Sequence, residues 1–153
     1  MPRADSDSQG VPETPPRGAS LWIDGPLPGM NEIVAAAKGS GGRGKDYSVM
    51  KRAWTDTVWA LALQARMQRF SGMVRLTFLW VEPNARRDKD NVAAGKKFVI
   101  DGLVTAKVLA ADGWKIIAGF VDDFAIDPKR PGCLVTVTET RMDQELRRGR
   151  ADR

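Results

Sequence analysis

Apolar residues fall into a few separate rhythms along the chain, and these define its elements. Leu21-Trp22-Ile23, closed by Pro26, Pro28 and Gly29, reads as a short first strand running into a turn. From about 46 to 69 the apolar positions Met50, Trp54, Val58, Leu61 and Ala65 recur at helical spacing. That spacing predicts an amphipathic helix laid on a sheet, with Asp46 as its candidate cap. Trp54 and Trp59, on this helix, are expected in the core rather than presented to a nucleobase. Val74, Leu76, Phe78 and Trp80 then alternate with Arg75, Thr77 and Leu79, the period of a strand buried on one face, which Glu82-Pro83-Asn84 ends.

A second helix is expected from Val92 to about Ala110, with Val92, Val99, Leu103 and Ala106 inward and with Gly95 and Gly102 weakening it. Asp112-Gly113 turns into a strand over 114–120, and Asp122-Asp123 follows as a second acidic cluster. Cys133, Val135 and Val137 alternate with Leu134, Thr136 and Thr138 in a final strand. The order strand, helix, strand, helix, strand, strand predicts a mixed α/β (α+β) domain over residues 20–140, a small mixed sheet with two main helices. Residues 1–19, rich in Pro, Ser and acids without an apolar period, are expected to be a disordered tail, and 141–153 a charged tail.

Composition narrows the chemistry. At 153 residues and 42% hydrophobic, the chain suits one globular unit. No apolar run approaches the roughly 20 residues needed to cross a bilayer, and the start lacks the apolar stretch of a signal peptide. A single cysteine, Cys133, allows neither an internal disulfide nor a cysteine-based zinc site, so a soluble, cytoplasmic protein is expected, with Cys133 buried in a strand. Histidine is absent, which removes Ser/His/Asp and Cys/His catalysis and every imidazole-ligated metal. Catalysis is left to carboxylates, lysines or hydroxyls. With 24 Lys+Arg against 19 Asp+Glu the net charge is +5, a weak pointer to an acidic partner such as nucleic acid.

The stretch Arg86-Arg87-Asp88-Lys89-Asp90-Asn91 stands out, because it sets two carboxylates two residues apart among basic neighbours just after a strand. Carboxylate oxygens suit a hard cation such as Mg²⁺, which keeps several waters and shares a phosphate substrate, and Arg86 and Arg87 suit that phosphate. Taken alone, such a pair is more often a solvated turn. The glycine-rich segment Lys38-Gly39-Ser40-Gly41-Gly42-Arg43-Gly44-Lys45 is open to two readings, a solvated linker or a phosphate-contacting flap. It does not match GxxxxGK[ST], so no nucleotide cofactor is implied. Lys97 and Asp101, one turn apart, read either as a surface ion pair or as a lysine aimed at phosphate with a steadying acid.

The run Arg87-Asp88-Lys89-Asp90-Asn91, then Lys97, Asp101-Gly102-Leu103, and Asp112 before Trp114, resembles the RusA family of Holliday-junction resolvases, common in phages and prophages. The resemblance spans roughly 20–140. It implies that Asp88, Asp90 and Asp112 are the metal-binding acids and that Lys97 is the catalytic lysine, with Lys96 beside it as the alternative. It also implies a homodimeric endodeoxyribonuclease that uses Mg²⁺, with Mn²⁺ as a substitute, to nick a four-way junction or other branched DNA symmetrically. Arg43, Lys45, Arg86, Arg87 and Lys96 would then contact DNA phosphates, which position a duplex without reading its sequence. Two departures stand against the pattern: Ala111 precedes Asp112 where many members carry an acid, and the spacing from Asn91 to the lysine is longer. They keep open an alternative, a catalytically inactive RusA-like module that only binds branched DNA.

Overall fold

Four strands, β1 (Gly18–Asp24), β2 (Val74–Glu82), β3 (Ile117–Ile126) and β4 (Gly132–Glu139), form one sheet in the order β1-β4-β2-β3. This computed structural model describes residues 16–39 and 44–140; the proposed tails lie mostly outside them, as does Arg43. β4 pairs antiparallel with both β1 and β2, whereas β2 and β3 run parallel. A parallel pair needs a long crossover. Here it is supplied by α3 (Lys89–Ala93) and α4 (Lys96–Thr105), while α1 (Met30–Lys38) and α2 (Lys45–Gln64) join β1 to β2. The mixed α+β architecture is as the patterning predicts.

Alternation in β2 works as a partition. Val74, Leu76, Phe78 and Trp80 are buried, and they share one core with Leu21 and Ile23 of β1, Cys133, Val135 and Val137 of β4, Val58 and Ala62 of α2, and Val99 and Leu103 of α4. Arg75, Thr77 and Leu79 alternate with them and stay half-buried. Cys133 is a free thiol inside this core, as expected. No helix among the described residues is long and apolar enough to cross a membrane.

Several boundaries differ from the sequence expectation, each for a physical reason. β1 begins at Gly18, because Arg17 and Gly18 already pair against Glu139 and Thr138. A helix, α1, follows the Pro-rich turn. Gly29 precedes it, and the Glu32 carboxylate accepts the Gly29 N–H at 3.2 Å, closing the first turn. α2 starts one residue earlier than expected, on Gly44 at φ 71°, a left-handed conformation glycine adopts without strain. Asp46 therefore sits in its first turn, where a negative charge favours the helix dipole, rather than at the cap. α2 also stops at Gln64, with Arg66 left-handed at φ 50°. Trp54 packs against the core, but Trp59 is 39% exposed, a correction to the expectation that both are core.

The expected second helix is two. It breaks at Ala94-Gly95, where a side chain on Gly95 would crowd the Pro28 carbonyl and Leu27. Gly102 strengthens rather than weakens the packing, since a Cβ there would run into Val58 of α2. The third strand runs from Ile117 to Ile126, not from Trp114, so Asp122 and Asp123 lie within it rather than beyond its end. Asp122 is accommodated on the core-facing side because the Trp80 indole N–H donates to it at 2.8 Å and Lys96 Nζ at 2.6 Å.

Candidate metal and phosphate site

The acidic motif lies where β2 ends and α3 begins. Asp88 is the N-cap residue of α3, in extended conformation, and its side chain makes no capping hydrogen bond. Asp90 follows in the first turn. Both carboxylates are exposed and line one open cleft of about 460 Å³, together with Glu82, Asn84, Arg87 and Lys89, with Phe124 of β3 on its far side. Among the described residues neither Asp88 nor Asp90 has a side-chain hydrogen bond or ion-pair partner.

The loop carrying these acids is tied down by its neighbours. Arg87 turns inward: its Nε and Nη2 donate to one oxygen of Glu82, its Nη1 donates to the Leu27 carbonyl at 3.0 Å and approaches Glu32 at 3.4 Å. Glu82 is buried, so Arg87 offsets a charge that burial alone would make costly. The Asn91 side-chain oxygen accepts the Asn31 N–H at 3.0 Å, joining α3 to α1. Gly29 permits this approach, since a Cβ on it would come within 2.6 Å of that same oxygen. Arg87 and Asn91 thus act as a brace behind the carboxylates. The expectation that Arg87 faces DNA phosphate is corrected accordingly, and the exposed arginine of the pair is Arg86.

Lys96 and Lys97 diverge at the start of α4. Lys96 is directed into the sheet, where it pairs with Asp122 and lies over the Phe120 ring at 4.5 Å from its centroid. That placement corrects its assignment to the DNA surface. Lys97 is half-exposed. Its Nζ donates to Asp101 Oδ1 at 3.0 Å and lies 3.9 Å from Asp112 Oδ2. The hydrogen bond to Asp101, and then the charges of Asp101 and Asp112, outweigh burial and raise its pKa above the ordinary lysine value, so it remains an ammonium at neutral pH. Lys51 of α2 comes to 3.8 Å from the other Asp101 oxygen, which is buried and has no hydrogen-bond partner among the described residues.

Two groups result from the expected set. Asp88 and Asp90 share the cleft; Lys97 and Asp112 belong to a second cluster centred on Asp101. Among the described residues no three acidic, cysteine or histidine side chains gather closely enough to enclose an ion. Lys45, exposed at the start of α2, joins neither group. Asp101 was legible only as a helical neighbour of Lys97. Its link to Lys51 depends on the close α2–α4 packing that Gly102 allows, which spacing along the chain does not reveal. No protein-family model matches the chain, and no curated protein matches it in sequence.

Proposed function

We propose that this protein is a metal-dependent endodeoxyribonuclease of the RusA type, acting on four-way junctions or other branched DNA in the cytoplasm as a homodimer. The observation that carries this reading is the pair Asp88 and Asp90, exposed in one cleft on a braced turn, with no protein partner among the described residues. Two hard oxygen donors with remaining coordination left to water and phosphate match the needs of Mg²⁺, and Mn²⁺ can substitute on the same donors. The residues therefore fit the ion that the family resemblance implies. When bound, the ion supplies Lewis-acid activation of water and of the scissile phosphate.

The chain's own groups do the rest. Asp88 and Asp90 hold the ion; the Glu82–Arg87 pair and Asn91 fix the backbone that presents them. Lys97, held protonated by Asp101, offsets charge that develops on the phosphate oxygens as the bond to the 3′ oxygen breaks. Asp112 reaches this chemistry through Lys97 rather than as a third acid of the cleft. Arg86, Lys45 and Arg43 provide phosphate contacts at the periphery. A two-fold dimer places two such sites for two symmetric nicks.

The separation of Asp112 from Asp88 and Asp90 favours a second reading, a module that binds branched DNA without cutting it. Incubating the full-length chain with a synthetic four-way junction and with linear duplex of the same sequence, with and without Mg²⁺, separates the two. Paired nicks confined to the junction and dependent on Mg²⁺ support the endonuclease. Junction binding without nicks supports the module.

A further inference from the structure

Trp114 is 96% exposed, the most exposed of the large hydrophobic residues described, although an indole is among the costliest side chains to leave in water. It stands on the turn between α4 and β3, two residues after Asp112, whose carboxylate lies 3.9 Å from Lys97 Nζ. Trp114, Ile117, Gly119 and Phe120 line an open slot of about 320 Å³. The wall opposite the indole is rigid: Phe120 lies under the Lys96 ammonium and against Phe78, with ring centroids 6.1 Å apart. Gly119 leaves the slot without a side chain between these walls. Lys115, exposed next to Trp114, and Lys97 put positive charge at its ends.

We propose that Trp114 and Phe120 form an aromatic clamp for one unpaired nucleobase at the branch point, with the flanking phosphates lying toward Lys97 and Lys115. Aromatic faces stack on any base, so such a contact recognises an unstacked base rather than a sequence. Base pairs in a continuous duplex keep their faces covered, whereas a branch point exposes them. The clamp therefore supplies preference for branched over linear DNA, a step that exposed lysines and arginines alone cannot provide. This inference rests on the proposal that the protein acts on branched DNA, and it deepens it by assigning the residue that tells the branch from the duplex.

The test is a titration without Mg²⁺ of a four-way junction carrying 2-aminopurine at the branch point, and of linear duplex, with the parent, Trp114→Ala and Trp114→Phe. The expected result is a change in 2-aminopurine fluorescence on binding that Trp114→Ala abolishes and Trp114→Phe largely restores. Junction affinity should fall about tenfold in Trp114→Ala while duplex affinity is unchanged, in keeping with the usual contribution of one stacked base. Equal junction affinity and fluorescence in parent and Trp114→Ala would overturn the clamp. So would a loss of self-association in Trp114→Ala, read by sedimentation without DNA, because the indole would then face a second copy. Nicking in Mg²⁺ is scored separately: a fluorescence change that depends on Trp114, with no nicks in the parent, sinks the endonuclease and leaves the clamp standing.

Discussion

Arg87 and Cys133 show how far single residues depend on what surrounds them. In the sequence Arg87 is one of two adjacent arginines before an acidic pair; in the fold it is the counter-charge of buried Glu82. Removing one member of such a pair strands the other, so Arg87→Ala is expected to lower stability by about 3 kcal/mol in urea unfolding. Replacing both together, Glu82→Leu with Arg87→Met, should recover much of that loss. An unchanged unfolding midpoint in Arg87→Ala, accompanied by weaker DNA binding, would instead return Arg87 to the phosphate surface. Arg86→Ala is the matching control, with DNA affinity lowered and stability unchanged.

The Cys133 thiol is pushed up to about 12, first by burial and then by the negative charge of Asp122, against the opposing effect of Lys96. Thiolate is the reactive form, so the native protein should resist a disulfide reagent at pH 8 and react only when unfolded. The sign of the stability effect follows. Between about pH 9 and 12 the unfolded thiol ionises while the folded one keeps its proton, so stability is complete below that window and falls as pH rises through it. Rapid labelling of the native thiol at pH 8 would contradict this burial.

At the scale of elements, the contact between α2 and α4 depends on Gly102. A methyl group there would overlap Val58 and approach the Thr55 carbonyl to 3.1 Å, forcing the helices apart. Gly102→Ala is expected to destabilise by about 1–3 kcal/mol, the usual cost of overpacking, despite alanine's better helix propensity. Urea titration reads the outcome, and a more stable variant would show that the helices are not in close contact. Because Lys51 and Lys97 meet Asp101 across this interface, the same change should loosen the lysine cluster.

The elements most legible in the sequence were those with a long, one-sided pattern. Val74 to Trp80 and Cys133 to Val137 alternate because one face meets the helices, and both strands lie where that alternation places them. α1 was not legible. It has no buried residue, so no apolar stripe marks it, and Pro26, Pro28 and Gly29 suggest only a turn. β3 was misplaced because Asp122-Asp123 reads as a loop until Trp80 and Lys96 are seen to satisfy Asp122. The site divided in the same way. Asp88 and Asp90 are neighbours in sequence and in space, whereas the partners of Lys97 are set by a turn and a helix contact that spacing leaves undetermined.

For the whole molecule, a net charge of +5 favours DNA without selecting it, and the distribution of charge matters more than the sum. Much of the basic charge within the described residues is engaged internally, by Glu82, Asp101 and Asp122, which leaves fewer groups to release counterions from DNA. Affinity for duplex should therefore depend only moderately on salt, and preference for branched DNA must come from shape and from the cleft. The central claim is that Asp88 and Asp90 hold the ion that cuts. Its most direct measurement is the rate of paired nicking of a four-way junction in Mg²⁺ by the parent and by Asp90→Asn, at protein concentrations where both are shown to bind. The account predicts that Asp90→Asn binds the junction as the parent does and nicks it roughly 10²-fold more slowly or not at all, the scale lost when a group stabilising transition-state charge is removed. Equal nicking by the two proteins would contradict it and move the chemistry away from this turn.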